Sequence, residues 1–146
     1  MGANSDSSSK PSGTRPRVAR VLVIDDELLV AESLRRVLAD EFEVSIATET
    51  ATALARLTSG DWYDVVLCDI MMPGMNGIAL LEHVKRKAPE LAMRFIFITG
   101  GIVLPHVQTM LKSVSNLVLA KPLDTDAVRD LIRRRTRPEE PGASSG

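Results

Sequence analysis

Residues 65–77 read Val65-Val66-Leu67-Cys68-Asp69-Ile70-Met71-Met72-Pro73-Gly74-Met75-Asn76-Gly77. Apolar residues, two of them β-branched, run straight into one aspartate, and a turn rich in Met, Pro and Gly follows. A short continuous apolar run bounded by turn signals reads as a strand buried on both faces. Asp69 then stands at the strand's carboxyl end, the edge where open α/β sheets build their sites. A carboxylate there is a metal ligand, a nucleophile or a cap for the next turn, and the rest of the chain decides among them.

Working outward, the same grammar repeats. Val18 to Ile24 predicts a first strand that ends on Asp25-Asp26-Glu27. A helix follows from Leu28 to about Asp40, with Ala31, Leu34, Val37 and Leu38 on one face. Phe42, Val44 and Ile46 alternate with polar residues, which predicts a second strand at or near a sheet edge. Thr50 opens a second helix, with Ala51, Leu54, Ala55 and Thr58 on one side and Gly60 ending it. The third strand is Val65 to Cys68, and Asn76 is placed to cap a helix whose inner face is Ile78, Leu81 and Val84.

Phe95 to Ile98 makes a fourth strand that ends on Thr99-Gly100-Gly101. Pro105 suits the first turn of a fourth helix carrying Val107, Met110, Leu111 and Val114 inward. Leu117-Val118-Leu119 is a fifth strand ending on Ala120-Lys121-Pro122. Asp124 caps a last helix with Ala127, Val128, Leu131 and Ile132 inward. Five strands alternating with five helices imply one α/β domain: a doubly wound parallel sheet with helices on both faces. The domain is expected over 18–137. Residues 1–17 and 138–146, which are Ser-, Gly- and Pro-rich with little apolar content, are expected to be disordered tails.

Composition limits the function classes. A net charge of −1 over 146 residues gives no global field favouring nucleic acid or acidic lipid. The single cysteine, Cys68, excludes a disulfide framework and reads as a small buried hydrophobe in a reducing compartment. The longest uncharged run, Phe95 to Leu111, is broken by Gly100-Gly101 and Pro105, and no apolar leader opens the chain. A cytoplasmic protein without membrane or nucleic-acid partners is expected.

The strand ends carry the chemistry. Parallel strands bring Asp25, Asp26, Asp69, Thr99 and Lys121 to one edge of the sheet. Singly, the aspartates would read as caps, the threonine as a loop hydroxyl and the lysine as a surface charge. Together they form a set. Two like charges at ~4 Å repel by roughly 4 kcal/mol at an effective dielectric of about 20, so clustered carboxylates call for cations. Lys121 supplies one, and a hard oxygen-seeking ion such as Mg²⁺ is the natural second. Zinc is disfavoured because no Cys/His cluster exists. A hydroxyl and an ammonium beside metal and carboxylate suit a phosphoryl group, with Asp69 as nucleophile and Thr99 and Lys121 on phosphoryl oxygens.

At these residues the chain resembles the receiver domain of two-component response regulators. The resemblance rests on Val23-Ile24-Asp25-Asp26-Glu27, Asp69 to Gly77, Thr99-Gly100 and Lys121-Pro122, in order, and covers about Val18 to Arg135. It implies a flavodoxin-like sheet of strand order 2-1-3-4-5. It also implies Asp69 as phosphoacceptor, Mg²⁺ held directly by Asp26 and Asp69, through water by Asp25, and by the backbone carbonyl of Met71. Thr99 and Lys121 would hold the phosphoryl oxygens, and the Lys121–Pro122 bond is often cis in the family. The implied donor is a phosphohistidine on a histidine kinase or a histidine phosphotransfer protein. The implied output is contact with a downstream protein, with a homodimer through the fourth helix, fifth strand and last helix. Any catalysis would be self-phosphorylation and self-dephosphorylation at Asp69.

The chain departs from the family at three places. Val118 stands where family members usually carry Tyr or Phe, Leu123 replaces a common Phe, and Gly100-Gly101 frees the loop after strand four. The Thr-Gly-Gly pattern is similar to that of receivers at the end of hybrid histidine kinases. A phosphorylation-independent interaction module with the same fold is the competing reading. A phosphohydrolase is disfavoured because Met71 occupies the position two after Asp69 where such enzymes need a second acid, and a nucleotide hydrolase because no phosphate-cradling G-x-x-x-x-G-K-[ST] loop is present. His83 and His106 read as solvated helix residues, Trp62 as edge packing, and the arginines from Arg133 onward as charges at a helix C-terminus.

Overall fold

The computed structural model describes residues 18–101 and 103–136. The expected tails at 1–17 and 138–146, and the domain's expected last residue at 137, lie outside the described residues. Five strands form one sheet: β1 (Arg20–Ile24), β2 (Glu43–Ala47), β3 (Val65–Asp69), β4 (Phe95–Thr99) and β5 (Val118–Ala120). All pairings are parallel and the order is β2-β1-β3-β4-β5. The expected doubly wound architecture and the edge position of the second strand are therefore present.

The crossovers are α1 (Leu28–Leu38), α2 (Thr50–Leu57), α3 (Gly77–Lys87), α4 (Pro89–Ala92), α5 (Pro105–Leu111) and α6 (Thr125–Arg135). The sheet's two-residue period splits the core into two layers. On one face Val21, Val23, Val65, Leu67, Ile96 and Ile98 pack under α1 and α6. On the other, Leu22, Ile24, Val66, Cys68, Phe95 and Phe97 meet α2, α3 and α5. β3 is buried along its entire length, as a central strand covered on both faces must be.

Register aligns the carboxyl ends. Ile24 pairs with Cys68, which sets Asp25 level with Asp69. Asp69 pairs with Ile98, and Thr99 with Ala120. Asn76 caps α3 by accepting from the Ala79 N–H at 2.9 Å. Asp124 caps α6 by accepting from Asp126 and Ala127.

Several local expectations need correction. Among the described residues there are six helices rather than the expected five, because α4 is a single turn begun by Pro89, too short to carry a periodicity. In α2 the buried residues are Ala53 and Leu57, with Leu54 partly buried, whereas Ala51 and Ala55 are exposed. Alanines at alternate positions leave the face of an eight-residue helix undefined until the sheet selects it. Val37 and Ala127 lie at exposed rims, and Val114 falls after the end of α5. Trp62 does pack at an edge: its indole N–H donates to Asp64 at 3.1 Å, and the Arg94 guanidinium lies 5.2 Å from its ring centroid. Asp64 itself, a buried carboxylate accepting from the Arg20 N–H at 2.8 Å, was not distinguished by any sequence signal.

Candidate functional site

The site is assembled at the carboxyl ends of four strands: Asp69 and Thr99 are the last residues of β3 and β4, and Asp25 and Lys121 stand one step beyond β1 and β5. Carboxylate oxygens of Asp25, Asp26 and Asp69 lie within 4.8 Å of one another, with Asp25 and Asp69 buried and Asp26 exposed. The two acids after β1 are not caps for α1. The N-cap is Glu27, which makes no side-chain cap bond, and the Glu27 N–H instead donates to Asp25 at 2.9 Å. That bond turns the chain sharply out of β1 and holds the Asp25 carboxylate inward.

Asp69 is the last residue of β3 and accepts from the Met71 N–H at 3.3 Å. Burial, and then the neighbouring Asp25, push its carboxyl up to about 6, against the opposing pull of Lys121 and the Met71 N–H. The path beyond it is set by Gly77. The Gly77 N–H donates to the Ile70 carbonyl at 2.8 Å. A Cβ on Gly77 would stand 2.6 Å from the Asp69 carbonyl oxygen and 3.0 Å from Cys68 Sγ. Only glycine lets α3 start so close to the end of β3.

Lys121 follows β5, and its Nζ lies 3.6 Å from Asp25 Oδ2. Its backbone N–H donates to the Thr99 carbonyl at 2.8 Å, tying the ends of β4 and β5 together, and the Lys121–Pro122 bond is cis. Thr99 Oγ1 is buried and has no hydrogen-bond partner among the described residues. A loop threonine serving its own backbone would be satisfied, and an orphaned buried hydroxyl costs about 1–3 kcal/mol. Its hydrogen-bonding capacity is left unused by the described residues.

All five side chains singled out by sequence thus stand at one edge, and Met71 lies beside Asp69 through its N–H. His83 and His106 are not part of the cluster. The sequence reading missed the close-packed roles of Gly77 and Gly100, since spacing alone does not reveal which glycine touches a neighbouring strand. The donor set fits a hard divalent cation. It is all oxygen, and it carries three carboxylates against the lysine paired at its rim.

The family model for the response regulator receiver domain matches residues 21–133. The chain belongs to this family. Among curated relatives, the receiver chain is 32% identical over 119 residues to the transcriptional regulatory protein DltR of Streptococcus agalactiae. The match covers 81% of this chain and 52% of DltR. It is 32% identical over 120 residues to the response regulator PleD of Caulobacter vibrioides, covering 82% of this chain and 26% of PleD. The receiver chain therefore spans about half the length of DltR and a smaller part of PleD. Among solved structures, a response regulator receiver domain protein from Clostridium thermocellum superposes with a TM-score of 0.70 at 28% identity, covering 82% of this chain and 94% of that one. The receiver domain of Francisella response regulator 1452 gives 0.67 at 26%, covering 82% and 97%. No helix among the described residues is long and apolar enough to cross a membrane.

Proposed function

We propose that this receiver domain takes a phosphoryl group onto Asp69 in a Mg²⁺-dependent reaction and signals by protein contact. The observation that carries the proposal is one juxtaposition. Three carboxylates cluster within 4.8 Å, Lys121 Nζ stands 3.6 Å from Asp25, and the buried Thr99 hydroxyl is unpartnered. The donor proposed is a phosphohistidine on a histidine kinase or a histidine phosphotransfer protein. An Asp69 carboxylate oxygen attacks phosphorus, an O–P bond forms, the P–N bond breaks, and the imidazole leaves with the electron pair and takes a proton.

Asp25, Asp26, Asp69 and the Met71 carbonyl would hold the cation, which when bound offsets carboxylate charge and polarises phosphoryl oxygens. The chain's own groups do the rest. Lys121 pairs with a phosphoryl oxygen, Thr99 donates its hydroxyl proton to another, and the Met71 N–H holds the Asp69 carboxylate in place. Hydrolysis returns Asp69 to its free state, so the only turnover is at this residue. β5 is an edge strand, and Val118 within it and Leu117 just before it are exposed, which supports a homodimer or a downstream protein binding there. The domain proposed for this role is residues 18–137, and the location proposed for it is the cytoplasm.

The alternative, an interaction module that never carries phosphate, is favoured only by Val118, which stands where family members usually carry an aromatic residue. Intact mass after incubation with acetyl phosphate and Mg²⁺ tests the proposal. The expected result is a gain of one phosphoryl group that Asp69→Ala abolishes. Equal gain in Asp69→Ala would move the acceptor elsewhere, and no gain together with no Mg²⁺ binding would establish the alternative.

A further inference from the structure

The ends of β4 and β5 meet at a second contact, one step beyond their last pair. Thr99 is level with Ala120, so the next residues, Gly100 and Lys121, are neighbours. The Lys121 N–H to Thr99 carbonyl bond holds the two backbones at pairing distance. The lysine stem lies directly on the glycine. A Cβ on Gly100 would stand 2.9 Å from Lys121 Cδ, 3.2 Å from its Cβ and 3.3 Å from its Cγ.

Backbone conformation does not account for this glycine. Gly101 is left-handed, at φ +70°, and a Cβ there would meet nothing within 4 Å. Gly100 is outside the left-handed region and crowded. The two adjacent glycines therefore do different work. Gly101 turns the loop, and Gly100 clears a seat for the lysine stem.

The seat matters because a lysine is a point charge on a flexible stem. Three stem carbons lying over Gly100, the first residue beyond β4, restrict where the ammonium can go. They leave it at the rim of the acidic cluster, 3.6 Å from Asp25. We propose that Gly100 is a positioning residue for phosphoryl transfer: by carrying no side chain, it lets the Lys121 stem lie over it and so fixes the ammonium where the phosphoryl oxygens arrive. This rests on the reading of Asp69 as phosphoacceptor.

The test uses the full chain as Gly100→Ala and Gly100→Val, each alone and combined with Lys121→Ala, and Gly101→Asn as the loop control. Asparagine tolerates a left-handed backbone. Phosphoryl gain from acetyl phosphate with Mg²⁺ is followed by intact mass. Lys121 is followed independently, in protein carrying ¹³C-labelled lysine, through its Cε–Hε resonances and the contacts of its stem protons with Gly100 Hα.

A rate loss graded with side-chain size is expected, roughly 10- to 100-fold for Gly100→Val and smaller for Gly100→Ala. The Lys121 resonances should move to exposed-lysine values, and Gly101→Asn should leave both readouts unchanged. In the Lys121→Ala background neither Gly100 substitution should slow the reaction further. Wild-type rates in Gly100→Val, an equal fractional loss without the lysine, or an equal loss in Gly101→Asn would overturn the proposal. Where valine prevents folding, the alanine variant decides by the same criteria. No phosphoryl gain in wild type would overturn the phosphoacceptor reading, leaving the spectrum to decide the lysine seat. Unchanged Lys121 resonances in the Gly100 variants would overturn that too.

Discussion

Asp69→Asn should make this protein more stable at neutral pH, because the native fold strains against the charge it keeps there. The carboxyl ionises at an ordinary 3.8 in the unfolded chain and at about 6 in the folded one, where burial and Asp25 oppose its charge. Between those values the unfolded state binds fewer protons, so stability falls as pH rises through this window and levels off above about 6. The full cost is about 3 kcal/mol at pH 7.5 and about 1 kcal/mol at pH 4.5. Asparagine is nearly the same size, keeps an oxygen to accept from the Met71 N–H at 3.3 Å, and carries no charge. Urea unfolding in EDTA should therefore show Asp69→Asn about 3 kcal/mol more stable than wild type at pH 7.5. That is about 1.5 M in midpoint at an m-value of about 2 kcal/mol/M. The gap should shrink to about a third at pH 4.5. Adding Mg²⁺ should narrow the gap from the other side, since an ion that binds only the native wild type stabilises it by mass action. A variant no more stable than wild type at pH 7.5, or a gap of the same size at both pH values, would refute the reasoning.

Two further outcomes follow from the same edge of the sheet. Gly77→Ala should gain about 0.5–1 kcal/mol of helix propensity and lose more to the 2.6 Å approach on the Asp69 carbonyl. A net loss of about 1–2 kcal/mol, seen as a Tm lowered by several degrees in a thermal melt, is expected, and an unchanged or higher Tm would show that the start of α3 can slide. Asp26→Ala removes the exposed carboxylate of the cluster and should weaken Mg²⁺ binding roughly tenfold or more by isothermal titration, with little change in Tm without metal; unchanged affinity would place the cation elsewhere.

The sequence by itself determined the alternation of strands and helices, and with it the parallel sheet and the edge that carries the acids. The physical reason is that burial on both faces imposes continuous apolar runs such as Val65 to Cys68, while caps such as Asn76 and Asp124 act over three residues and are legible locally. Its reading was weakest where periodicity is carried by small or few residues. The alanines of α2 fit more than one face, and the four-residue α4 has no period at all. The tertiary structure alone decided which distant groups touch. Packing buries Asp69 and register sets Asp25 level with it, so that burial first and Asp25 second push that carboxyl upward, and the Thr99 hydroxyl is left buried without a partner among the described residues. Tertiary structure also separates the two adjacent glycines of the β4 loop, one turning the backbone and the other lying under the Lys121 stem. Distances between strands far apart in the chain follow from packing across the sheet, and no run of neighbouring residues encodes them.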